Sequence, residues 1–118
     1  MAEFLISAFA DETSTDPDHQ IAALKRNGLR MIEPRNIGGG IVDRTDAELD
    51  AFADKLDRAG IGISALGSPI GKYDIDKPFD AHLTVFRRAL EICRRLGTNR
   101  MRMFSFLHRG AIAGMTMR

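Results

Sequence analysis

The sequence is short of cysteine, of net charge and of long apolar runs, and each shortage removes a class of protein. Cys93 is the one cysteine, so no disulfide can close within the chain, and a reducing cytoplasm is the expected compartment. Lys and Arg number 17 against 16 Asp and Glu, a net charge of +1. No overall field therefore draws the chain to nucleic acid, to an acidic partner or to a membrane surface. No apolar run approaches the roughly 18 residues that a spanning helix needs. The opening "MAEFLISAFADE" has neither the basic start nor the small-residue cleavage site of a secretory leader, and it reads as a first strand. Neither nucleic acid nor a membrane is expected as a partner.

Two familiar motifs are absent as well. The glycine run "NIGGGIVD", residues 36–43, has no following Gly-Lys-Ser/Thr and opens no helix, so it fails the phosphate-loop pattern and reads as a mobile loop. His19, His82 and His108 each lack a second His or Cys at ligand spacing, so the residues themselves signal no metal site. Met101, Met103, Met115 and Met117 read as apolar filler.

What is present is a repeat. The 118 residues are 44% hydrophobic and 28% charged, an ordinary composition for one globular domain. Three helices are marked by their ends. Asp16 before Pro17 opens the first and Gly28 closes it; Thr45 with Glu48 makes a capping box for the second, which stops at Gly60. The third starts near Pro78, carries Phe79, Leu83, Phe86, Leu90 and Cys93 on one stripe, and stops at Gly97. The exits match: "RNGLRMIEPR", "RAGIGISALG" and "RLGTNRMRMF" each run Arg, one residue, Gly, then strand. With the opening strand, this predicts strands near 4–10, 30–35, 61–67 and 100–106 and helices near 17–27, 46–59 and 78–96. Regular alternation of this kind implies parallel strands joined by right-handed crossovers. An eight-unit barrel needs about 250 residues, and a flavodoxin-like sheet needs five strands. Four strands followed by the tail "HRGAIAGMTMR" predict a partial (βα) domain over 1–107 and an irregular tail over 108–118.

Ligands of parallel α/β folds sit beyond the carboxyl ends of the strands, which makes the strand ends the informative positions. Alternation puts Met31, Glu33 and Arg35 on one face of the second strand. In the fourth it puts Arg102, Phe104 and Phe106 on one face and Met103 and Ser105 on the other. A charge inside a strand must be paired or functional, so Glu33 and Arg102 stand out; a structural ion pair explains them as readily as a ligand. Asp11 and Glu12 end the first strand, where adjacent carboxylates can serve acid–base chemistry or simply belong to the loop. The third strand runs "IGISALG" into "SPIGK", placing Ser68 and Lys72 at its exit.

These stretches carry a likeness. "FADETSTDPDHQIAALKRNGLRMIEPR", then "SALGSPIGKYDID", then a long helix leading to "RMFSF", resembles the sugar phosphate isomerase/epimerase family, over residues 4–107 and over the amino-terminal half of such proteins only. The resemblance implies a xylose-isomerase-like TIM barrel of which this chain holds strands one to four in sequential order. It implies proton transfer next to a sugar carbonyl, assisted by a divalent metal (Mn²⁺, Mg²⁺ or Zn²⁺) whose ligands come mostly from later strands. Carried over by position, it assigns substrate contact to Glu33 of "MIEPR", Ser68 and Lys72 of "GSPIGK", and Arg102 with Ser105 of "RMFSF". Pro34 departs from the aliphatic residue expected beside Glu33. The expected ligand is a sugar or sugar phosphate. Half a barrel has open edges, so self-association and little turnover by the chain alone are expected.

Two other classes remain in view. A receiver-like phosphoacceptor module has this length and an acidic pair after its first strand, but needs an Asp where this chain has Gly67, Ser68 and Pro69. A non-catalytic half-barrel that works by assembling with a second chain is the other.

Overall fold

A computed structural model describes residues 4–107; the tail expected over 108–118, with His108, Met115 and Met117, lies outside them. The three helices form where their caps place them. Helix α1 is Pro17–Arg26, with the Asp16 carboxylate accepting from the Asp18 N–H at 2.9 Å. Helix α2 is Asp46–Ala59, and its capping box is complete. Thr45 Oγ1 accepts from the Glu48 N–H at 3.2 Å, while the Glu48 carboxylate accepts from the Thr45 N–H at 3.2 Å. Helix α3 is Phe79–Leu96 and, like α2, ends on a left-handed glycine, Gly97 after Gly60.

The strands are much shorter than the apolar runs predict. They are β1 (Ser7–Ala8), β2 (Met31–Ile32), β3 (Gly62–Ile63), β4 (Leu66–Gly67) and β5 (Met101–Arg102). All pair in parallel, β1 with β2, β2 with β3, and β4 with β5. The second strand thus lies between the first and third, whereas a receiver places the first strand there.

Each shortening has a local cause. Ser7 pairs with Met31, so residues 4–6 run alongside the α1 exit. There Gly28 takes a positive φ of 69° and the Leu29 N–H is already bonded to Leu24 of α1. A turn offers no ladder, and Phe4, Leu5 and Ile6 stay exposed. The single strand expected over 61–67 divides at Ser64 and Ala65 into β3 and β4. Pro34 has no N–H to donate, so the ladder beside β2 breaks there and resumes only through its carbonyl, which accepts from the Gly67 N–H at 2.8 Å. Beyond β5 the backbone bonds a loop instead of a strand, with the Phe104 N–H on the Ile70 carbonyl and the Leu107 N–H on that of Tyr73.

Helix α2 packs between α1 and α3, and the core lies between these helices and the strands. Ile32 and Leu66 are fully buried in it, with Leu49, Phe52, Leu56 and Ile92. Since side chains alternate, burying Ile32 and Leu66 toward the helices turns Glu33 and Gly67 to the opposite face. No helix among the described residues is long and apolar enough to cross a membrane.

Candidate functional site

A cleft of about 540 Å³ opens beyond the carboxyl ends of β2, β4 and β5, lined by Asp11, Arg35, Ser68, Lys72, Arg102 and Phe104 among others. Asp11 reaches it from a single 3-10 turn, Ala10–Glu12, that follows β1. There its carboxylate, only 10% exposed, accepts from Arg35 Nε with both oxygens, at 2.8 and 2.7 Å. Glu12, on the solvent side, is 3.4 Å from Arg35 Nη2. The hydrogen bonds that Arg35 donates to Asp11 push its guanidinium above the ordinary range against the opposing effect of burial, so this residue is a fixed cation.

Glu33 and Arg102 meet across the strands. Arg102 Nη1 is 3.5 Å from Glu33 Oε2, an ion-pair distance without hydrogen-bond alignment. Buried Glu33 Oε2 and Arg102 Nε accordingly have no hydrogen-bond partner among the described residues. Their approach depends on Gly67: a Cβ there would stand 2.8 Å from Arg35 Cβ and 3.3 Å from Glu33 Oε2, leaving no room for a side chain. Two phenylalanines hold the cations in place. Phe9 has Arg35 Cζ at 4.2 Å and Arg102 Cζ at 4.9 Å from its ring centre; Phe104 has Arg102 Cζ at 4.8 Å and Lys72 Nζ at 4.7 Å.

Ser68 is fully buried at the cleft wall. Its hydroxyl donates to the Arg102 carbonyl at 2.5 Å and accepts from the Ile70 N–H at 3.3 Å, which latches the loop after β4 to the end of β5. Gly71 continues that latch at φ 91°, its Cα so close to the Phe104 carbonyl that a Cβ would overlap the oxygen. The Gly71 N–H donates to Nε2 of buried His82 at 3.0 Å, which assigns the ring proton to Nδ1 in the neutral imidazole. The ring stacks on Tyr73, with centroids 4.4 Å apart. Ser105 is exposed and lies outside the cleft. The loop over 36–43 rims the cleft and folds back on itself, Asn36 Oδ1 accepting from the Gly39 N–H at 2.9 Å.

The structure therefore brings four of the five sequence-derived residues together, Glu33, Ser68, Lys72 and Arg102, and leaves Ser105 apart. It adds Arg35, Asp11, Phe9 and Phe104. Arg35 shares its strand face with Glu33, so alternation already pointed at it; the ring contacts of Phe9 carry no sequence signal.

The described residues do not fit a divalent cation. No three His, Cys, Asp or Glu side chains among them cluster as a ligand set. Glu33 is backed by Arg102, and both Asp11 oxygens face Arg35 Nε, so these two carboxylates already face cations and Asp43 is left as a lone carboxylate in the lining.

No protein-family model matches the chain, and no curated protein matches it.

Proposed function

We propose that the chain is a sugar-binding half of a (βα) barrel, related in kind to the sugar phosphate isomerases and epimerases, whose cleft holds a sugar or sugar phosphate for proton transfer next to its carbonyl. One observation supports this most. Ser68, Lys72 and Arg102, from two separate strand exits, line one cleft at the carboxyl ends of parallel strands, and Glu33 from a third pairs with Arg102 at its wall. The polar groups there suit a polyol. Lys72 and Arg102 offer donors to hydroxyl and carbonyl oxygens, and the Glu33 carboxylate can accept from a hydroxyl or take a proton from carbon.

Metal assistance, which the resemblance implies, needs ligands other than these residues, so no step is assigned to a metal here. On this reading the single chain binds the sugar, and efficient turnover awaits the strands that complete the ring. The receiver alternative is disfavoured by β2 lying between β1 and β3 and by Gly67, Ser68 and Pro69 at the exit of β4. The half-barrel that works only by assembly keeps support from the exposed apolar residues at both ends of the strand series, Phe4, Leu5 and Ile6 at one and Met103 and Leu107 at the other.

The test is calorimetric titration of monodisperse protein with a panel of ketoses, aldoses and their phosphates, alongside turnover assays with Mn²⁺, Mg²⁺ or Zn²⁺ added. Saturable binding of at least one sugar, weakened by Arg102→Ala, is expected. A panel with no binder would refute the reading, and robust metal-dependent turnover by a monomer would show that the catalytic groups lie within this chain.

A further inference from the structure

The net charge of +1 averages over two unlike ends of the fold. Helices that join parallel strands bring their own C-termini and the next strand starts to one end, opposite the cleft. Lys25 and Arg26 stand there in the last turn of α1, Arg94 in that of α3, and Arg30 and Arg100 just before β2 and β5. All five are exposed, and none has an ion pair among the described residues. The acids at this end do not match them. Asp54 is taken by Arg58 at 2.8 Å, and Arg95 turns back to Asp46 and Asp50, which leaves Asp57 as the unpaired acid. The cations form a continuous surface. The Arg30 carbonyl accepts from the Gly62 N–H at 2.8 Å, Gly62 shares a groove with Arg94, and Arg94 shares another with Arg100. Helix dipoles favour cations in last turns, which accounts for Lys25, Arg26 and Arg94 but not for Arg30 and Arg100. A further feature has no packing role: Phe4, Leu5 and Ile6, at 86%, 66% and 66% exposure, line a groove with Arg30.

We propose that this end docks on an anionic lipid surface, with Phe4, Leu5 and Ile6 entering the headgroup boundary and the cations facing acidic headgroups. Charge complementarity selects an anionic partner. The apolar run selects lipid over nucleic acid, because Leu5 and Ile6 have no ring to stack on a base and a phosphate backbone gives them no apolar contact. Lasting attachment to a bilayer takes two signals, and an apolar insertion beside a basic patch supplies both. The chain then lies on the membrane without crossing it, and the cleft at the other end of the strands stays open to water.

The test is co-sedimentation of the protein with phosphatidylcholine vesicles, made with and without phosphatidylglycerol, at low and high salt. Binding should require phosphatidylglycerol and fall as salt is added. A cation near such a surface is worth roughly fivefold in partitioning, so Arg30→Gln with Arg94→Gln should weaken binding about tenfold or more. Both positions are exposed; Arg100→Gln gives the same readout in the same direction should that pair fail to fold. Leu5→Ser with Ile6→Ser should weaken binding while keeping its dependence on salt. Equal binding to both kinds of vesicle, or binding to neither, would overturn the proposal. Capture of single-stranded RNA without vesicle binding would overturn it in favour of nucleic acid. An oligomer that Leu5→Ser with Ile6→Ser dissociates, with no vesicle binding by the wild type, would overturn it in favour of a second copy of the chain.

Discussion

Arg35 shows how far a single residue's chemistry can be read before its neighbours are known. Alternation from Glu33 places it on the cleft face, yet its partner, Asp11, lies 24 residues away on another strand exit, and no local pattern links the two. Glu33 and Arg102 were legible as charges needing an explanation, because a strand charge is costly when unpaired. That they explain each other only in part, at 3.5 Å, is visible only in three dimensions. Gly71 yields the sharpest prediction at this scale. Its positive φ and its contact with the Phe104 carbonyl both exclude a side chain, so Gly71→Ala should lower stability by more than about 2 kcal/mol in urea denaturation. A change under half that size would mean the loop can move away from β5. Cys93 behaves oppositely. Burial pushes its thiol above the ordinary range, so iodoacetamide should modify it far more slowly in the native protein than in denatured chain at the same pH. Equal rates would show that α3 opens readily at that position.

The helices were readable to within a residue or two at each end, because a cap is a local device: Asp16, Thr45 with Glu48, Gly60 and Gly97 act on their own turns. The strands were not. A strand exists only where a neighbour supplies a ladder, and here the neighbour is an α1 exit turn beside residues 4–6 and a proline at position 34. Glu48 carries a pH prediction for α2. The bonds from the Thr45 backbone and hydroxyl, and then the charge of Arg44, hold its carboxyl below the ordinary value. A lowered folded-state pKa stabilises above the unfolded value and is lost as the pH falls through the folded one. Glu48→Gln should therefore be less stable than the wild type at pH 7, with the gap closing as the pH falls below about 4.3. A gap that persists undiminished at pH 3 would rule out ionisation as its source.

At the scale of the whole molecule, exposed apolar surface lies beside β1 and beyond β5, and one cleft opens between them. Phe4, Leu5 and Ile6 flank β1, while Met103 and Leu107 follow β5, joined there by exposed Ile75 and Phe79. Exposed apolar surface beside the edge strands β1 and β5 of the two parallel sheets invites association, so sedimentation velocity should show a mass that rises with concentration. Replacing Leu5 and Ile6 by Lys should reduce that rise; a strictly monomeric wild type would remove the assembly reading. The central claim is that the strand-end cleft is where a sugar or sugar phosphate binds, and amide NMR tests it most directly. Fructose 6-phosphate added to ¹⁵N-labelled protein should shift the amides of Arg35, Asn36, Ser68, Lys72 and Arg102, and leave those on the outer face of α2, such as Asp50 and Asp54, unmoved. Shifts that spare the cleft and gather elsewhere, or no shifts at saturating ligand, would contradict it.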